Sequence, residues 1–168
     1  GEEAYDVGDY EYAWERFEAL AKAGHKGSQY YLGQLYSITD SGRAQNMSVA
    51  AEWYARSAEQ GHAKAQYSLG MMYQYGTGVS VDYTEAFFWL EKAASSNIGD
   101  AQLAMSKLLA EKNNPDFSVV DSYMWYLLAK FSERNPKMTK THYETNILGY
   151  KLMQNQEDLA MNLAVARR

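Results

Sequence analysis

The sequence predicts an all-α fold, a short solenoid of antiparallel helix pairs, and three observations carry that expectation. A stretch of text recurs at steps of 37 and then 36 residues. Preferred N-cap residues recur in the same phase. Apolar residues follow each of them at helical spacing. A chain of 168 residues, 46% hydrophobic and 22% charged, has room for one domain with a sizeable core. Its 2 prolines, Pro115 and Pro136, leave most of the chain free of a residue that breaks helices.

Residues 1–23 read as an N-terminal half-repeat and cap. The first full unit, 24–60, opens on Gly24-His25 and carries Leu32, Leu35 and Tyr36 in its first helix. The second, 61–96, opens on Gly61-His62 and repeats that text through Leu69, Met72 and Tyr73. The third, 97–132, is weaker, with Ala101-Gln102 and Met105 in place of Ala65-Gln66 and Leu69. Trp53, Trp89 and Trp125 mark the second helices at steps of 36 residues. Trp14 lies one place after the small-residue column Ala13, Ala50, Ala86 and Ser122, so it stands outside that ladder. Beyond Glu133 the phase is lost, and residues 133–168 read as C-terminal capping helices with a polar outer face.

Asp9, Asn46, Asp82 and Ser118 fall in one column, each before an apolar helical stretch. Their side-chain oxygens can accept orphan N–H groups of the first turn. Glu85 follows Asp82 by three residues, the spacing of a capping box, and Asp121 stands in the same place after Ser118. In the second unit the first helix is expected from Lys64 to Tyr75, closed by Gly76-Thr77-Gly78. The second is expected from Asp82 to Ser95, closed near Asn97. Neither can bury its apolar stripe alone, so neighbouring units must stack. Leu32, Leu69, Met105, Tyr36, Tyr73 and the three in-phase tryptophans are the expected core.

The run Ala65-x-x-x-Leu69-Gly70-x-x-Tyr73-x-x-Gly76-x-Gly78-Val79-x-x-Asp82-x-x-x-Ala86-x-x-Trp89-x-x-x-Ala93-Ala94 resembles the SEL-1-like repeat, a relative of the tetratricopeptide repeat. Ser122 to Ala129 is similar to the last unit of many bacterial members. The resemblance implies a right-handed α/α superhelix whose first helices line a concave face. It departs from the pattern in two loops. The first, Ser37 to Gln45, is one residue longer and lacks the glycine turn. The third, Ala110 to Phe117, has Lys112, Asn114 and Pro115 instead of glycines.

Charge and motifs exclude several function classes. The net charge is −5, with 6 basic and 11 acidic residues in the first 84, the wrong sign for a nucleic-acid surface. Glu2, Glu3, Asp6, Asp9, Glu11, Glu15 and Glu18 read as a solvated acidic face rather than a site. The chain has 0 cysteines, which removes disulfides, thiolate metal sites and cysteine nucleophiles. No apolar run is long enough to span a membrane. The motifs of metalloproteases, serine hydrolases, serine–lysine acylation and dinucleotide turns are missing, and His25 and His62 lack a third ligand, so no enzyme, metal or cofactor is expected.

What remains is a protein-binding reading. The resemblance implies a non-catalytic adaptor holding a protein or peptide in its concave groove, in a bacterial envelope, secretion or signalling setting. Residues off the core stripe of the first helices are the candidates: Tyr30, Gln34, Lys64, Tyr67, Met71, Gln74, Tyr75, Leu103 and Lys107. Tyr30, Tyr67 and Leu103 would form a ladder, and tyrosine and methionine are enriched at interfaces. Padding of the seams between units is the competing role for the same tyrosines. A monomer is expected, with a dimer as the alternative. The rival functions are a hydrolase on a repeat scaffold and a self-assembling element stacking near Met153 to Ala164. A start at Gly1 fits a trimmed chain, and the expected location is the bacterial periplasm or exterior, with the cytoplasm as alternative.

Overall fold

A computed structural model describes residues 1–39 and 43–134, and among these it contains helices and turns but no strand. The expected C-terminal cap and the segment near Met153 lie outside the described residues. A short helix α1 (Glu2–Asp6) precedes α2 (Tyr10–Lys22). Three pairs follow: α3 (Lys26–Ser37) with α4 (Met47–Glu59), α5 (Ala63–Tyr75) with α6 (Tyr83–Ser95), and α7 (Gly99–Ala110) with α8 (Val119–Arg134). Consecutive helices pack on one another throughout, and α5 also touches α7. In every pair the first helix is called A here and the second B.

All four members of the predicted cap column act as caps. Asp9 accepts the Tyr12 N–H at 3.3 Å, Asn46 that of Val49 at 3.1 Å and Asp82 that of Glu85 at 3.0 Å. Ser118 Oγ accepts the Asp121 N–H at 3.1 Å. The capping box does not form around Asp82. The Asp82 N–H donates instead to the Tyr73 carbonyl at 3.0 Å, and the Glu85 carboxylate accepts the Trp89 indole N–H at 3.0 Å. The same tie recurs from Asn46 to Tyr36 and from Ser118 to Leu109, both at 2.9 Å. The N–H that a capping box would satisfy locally therefore clips each B helix to the end of its own A helix.

The interior is a chain of three apolar clusters. Ala13, Trp14, Phe17, Leu32 and Leu35 form the first, and Tyr54, Ala58, Leu69, Met72 and Trp89 anchor the second. The third gathers Leu90, Met105, Leu108, Trp125 and Leu128. Tyr36 lies against the first two clusters and Tyr73 against the second and third, so the predicted core tyrosines bridge them. Trp89 and Trp125 are buried, while Trp53 is half-buried with Arg56 4.6 Å above its ring. Trp14, off the ladder by sequence, is only 2% exposed and meets Tyr36 edge-on at 4.7 Å.

Close approach of A to B depends on glycine. A Cβ at Gly33 would lie 2.7 Å from the Tyr54 ring, and one at Gly70 would lie 2.7 Å from the Leu90 side chain and 3.1 Å from its backbone nitrogen. In the third pair the equivalent residue is Ser106, whose carbonyl accepts the Ser122 hydroxyl at 2.7 Å. The loop from α5 to α6 turns on Gly76 (φ 68) and Gly78 (φ 75), and Gly78 sits hard against the Met47 carbonyl. The glycine-free third loop is organised differently. Buried Asn114 donates to the Leu108 carbonyl at 2.8 Å and accepts the Asp116 N–H at 3.0 Å.

Successive units are fastened by a glutamine column. Buried Gln29 donates to the Ala21 carbonyl at 3.2 Å, and buried Gln66 donates to the Ala58 carbonyl at 3.1 Å. Each adds a second donor to a carbonyl at the end of the preceding B helix, where Ala21 already accepts the Gly24 N–H and Ala58 the Gly61 N–H. Gln66→Leu should cost about 0.5–1.5 kcal/mol in urea unfolding, since the Ala58 carbonyl loses one of two donors and keeps the Gly61 N–H. Gly70→Ala should cost about 1–3 kcal/mol, by overpacking against Leu90. Gly99→Ala, at a helix start with open space around the new methyl, should leave stability within about 0.5 kcal/mol.

Candidate protein-binding face

The A helices carry the residues expected to meet a partner, and their burial sorts these residues into two groups. Lys64, Tyr75 and Lys107 are exposed, Tyr75 at 56%. Tyr30, Gln34, Tyr67, Met71 and Leu103 are half-buried, and Gln74 is buried. The split has a geometric cause. Residues facing a neighbouring unit lose area to the seam, whereas those one helical step further round keep it.

Tyr30 shows how far the seam reaches. Its ring stacks on His62 at 4.7 Å, meets Tyr31 edge-on at 5.4 Å and tilts against Tyr54 at 5.9 Å. Burial, reinforced by Tyr54, Tyr5 and Tyr31, pushes its hydroxyl well above the usual tyrosine range, so it stays neutral as a donor. Tyr67 and Met71 lie against the third cluster. Burial, then Asp100 and Tyr75, raises the Tyr67 hydroxyl in the same sense. The Gln74 amide donates to Glu111 at 2.7 Å, tying α5 to the residue after α7. Gln34 Oε1 is enclosed and accepts no hydrogen bond from the described residues.

Tyr30 and Lys64 come together at one place. With Glu2, Tyr31 and His62 they line an open depression of about 220 Å³ beside the starts of α3 and α5. Tyr31 is held there by a parallel stack on Phe17, ring centroids 4.6 Å apart. In the sequence Glu2 reads only as part of an acidic face and His62 only as a turn histidine, and Tyr31 is not singled out. Their signal was weak, because Tyr31 is paired with Ser68 in the next unit and Glu2 precedes the repeats altogether. Leu103 and Lys107 belong to α7 and do not line this depression.

The surroundings offer little for chemistry. Among the described residues no three His, Asp or Glu side chains converge as metal ligands would. No helix among them is long and apolar enough to cross a membrane. The two histidines placed in turns have a structural use: His25 Nδ1 accepts the Ser28 N–H at 3.2 Å, and His62 Nδ1 accepts the Ala65 N–H at 3.3 Å. They are the N-caps of α3 and α5, a role aspartate and asparagine play on the B helices.

The ring contacts of Tyr30 predict a stability effect. Tyr30→Ala should cost about 2–4 kcal/mol in thermal or urea unfolding, because three aromatic neighbours lose their contact with it. Lys107→Ala, on an exposed position of the same face, should stay within about 0.5 kcal/mol.

The Sel1 repeat pattern matches residues 27–62 and 63–98. The chain is similar to the chitin synthase regulator SKT5 of Saccharomyces cerevisiae, 26% identical over 136 residues, covering 80% of this chain and 20% of the regulator. In shape it is similar to a Sel1 repeat protein from Oxalobacter formigenes, with TM-score 0.68 and 33% identity over 77% of this chain and 51% of the other. It also resembles a protective antigen of uropathogenic Escherichia coli displaying an SLR fold, with TM-score 0.65 and 30% identity over 69% of this chain and 25% of the antigen. The chain thus spans about a fifth of the yeast regulator and about half or less of the two solved proteins. With its paired helices and in-phase caps, the chain carries two Sel1 repeats, at 27–62 and 63–98, in an all-helical repeat fold like that of the solved SLR proteins.

Proposed function

We propose that this domain is a non-catalytic adaptor that holds a segment of another protein along the face of its A helices. Repeats of this family typically serve as protein-interaction scaffolds, and one relative is named for regulating an enzyme. The observation that carries the reading is the run of exposed and half-exposed residues along α3, α5 and α7. Lys64, Tyr75 and Lys107 stand free, while Tyr30, Tyr67, Met71 and Leu103 offer apolar edges between them. A rigid surface of aromatic and methionine edges with cations beside them suits an extended or helical segment carrying acidic residues. The two solved relatives are bacterial, which supports a bacterial setting, and an envelope, secretion or signalling role belongs to the same proposal.

The test uses the exposed residues, so that binding and folding can be separated. Partners captured from lysate would be identified by mass spectrometry, and the purified partner titrated calorimetrically. The combined variant Lys64→Glu, Tyr75→Ala, Lys107→Glu should keep its helical signal and melt within a few degrees of the parent. It should bind the partner at least about tenfold more weakly, the loss expected when interface hot spots are removed. An unchanged Kd would place the binding surface elsewhere.

A further inference from the structure

We propose that His62 is an acid-sensitive latch: as a neutral ring it caps α5, and its protonation releases the first turn of that helix. The cap is an acceptor role. His62 Nδ1 takes the Ala65 N–H at 3.3 Å, which requires the proton of the neutral ring to sit on Nε2. A second proton turns Nδ1 into a donor facing another donor, so the hydrogen bond is replaced by repulsion. The new positive charge also stands at the positive end of the α5 dipole.

The equivalent cap on α3 is built differently. Ser28 follows His25 where Ala65 follows His62, and the Ser28 hydroxyl lies 2.9 Å from His25 Nδ1. A protonated His25 can donate to that oxygen, so its turn keeps a partner. Ala65 carries no hydroxyl and its side chain is fully buried. The repeat therefore holds one cushioned cap and one uncushioned cap in the same position.

The groups around His62 set the direction of its response. Burial disfavours the cation most, followed by Lys26 from α3 and Lys64 from α5. Glu2 from α1 opposes them, and the stacked face of Tyr30 at 4.7 Å would also welcome a cation. The balance lowers the pKa below its ordinary value of 6.5. A group whose folded pKa lies below its unfolded one contributes its full stability above pH 6.5. That contribution fades as pH falls through the folded value. His62 also walls the depression it shares with Tyr30 and Lys64, so the latch acts at the edge of the A-helix face.

Asparagine is a strong N-cap that does not titrate, which makes it the substitution of choice. Melting curves of the whole chain at pH 7.5 and 5.5 would compare the parent with His62→Asn and His25→Asn. The parent and His25→Asn should each lose roughly 3 °C between the two pH values, while His62→Asn should lose about 1 °C or less. An equal loss in all three proteins would overturn the proposal. NMR of the imidazole nitrogens gives a second reading that needs no variant. A His62 ring carrying its neutral-state proton on Nδ1, or titrating above pH 6.5, would overturn the proposal as well.

Discussion

The Gln66 amide reaches across a turn to the Ala58 carbonyl, and Gln29 makes the same bond to Ala21 one unit earlier. These bonds sit where one helix pair hands over to the next, the junction on which a solenoid depends. A pair of helices of twelve or thirteen residues cannot bury its own apolar stripe, so its stability comes largely from its neighbours. The end of a B helix must therefore be brought into the core, and its carbonyls with it. A buried glutamine serves both needs. It fills the space with its stem, and its amide gives a second donor to a carbonyl that the turn alone would leave with one. Gly33 and Gly70 do the complementary work within a unit, letting B lie close enough to A for Tyr54 and Leu90 to close over the backbone.

The same demand for neighbours explains why the A-helix face is less open than its sequence suggests. Tyr30 and Tyr67 sit between units, and most of each ring's contacts are with the fold itself. A tyrosine in that position serves two ends. Its ring closes the seam, and its remaining edge stays available to a partner on a surface already held rigid. Rigidity lowers the entropy that binding must overcome. The exposed cations Lys64 and Lys107 and the Tyr75 ring flank these edges, and they can change without disturbing the core.

The cap positions show one structural problem answered by different chemistry. B helices begin with Asp9, Asn46, Asp82 or Ser118, whose oxygens are acceptors near neutral pH. A helices begin with His25 and His62, whose acceptor is a titratable nitrogen. The two histidines look interchangeable in sequence. They differ because the residue three places on is serine in one unit and alanine in the next, which decides what a protonated ring can reach.

Much of the fold was legible in the residues. Repeat phase, cap identity and helical spacing are local properties, so the helix boundaries around Tyr75, Gly76, Asp82 and Ser95 could be read within a residue. The core positions Leu32, Leu69 and Met105 followed from the same periodicity. The Asp82–Glu85 spacing misled, because it says nothing of the Tyr73 carbonyl that accepts the Asp82 N–H, nor of the Trp89 indole N–H that donates to the Glu85 carboxylate. The glutamine column was visible as a repeat, but its partner is a carbonyl eight residues back that only a closed turn brings near. Sequence by itself determined the helices, their order and the stripe each must bury, since these rest on neighbours along the chain. Tertiary structure alone decided which tyrosines close seams, that Gln74 is buried, and that Tyr30, His62 and Lys64 share one hollow. Each of those outcomes depends on the distance between helices, and that distance is set by glycines and glutamines acting across the fold.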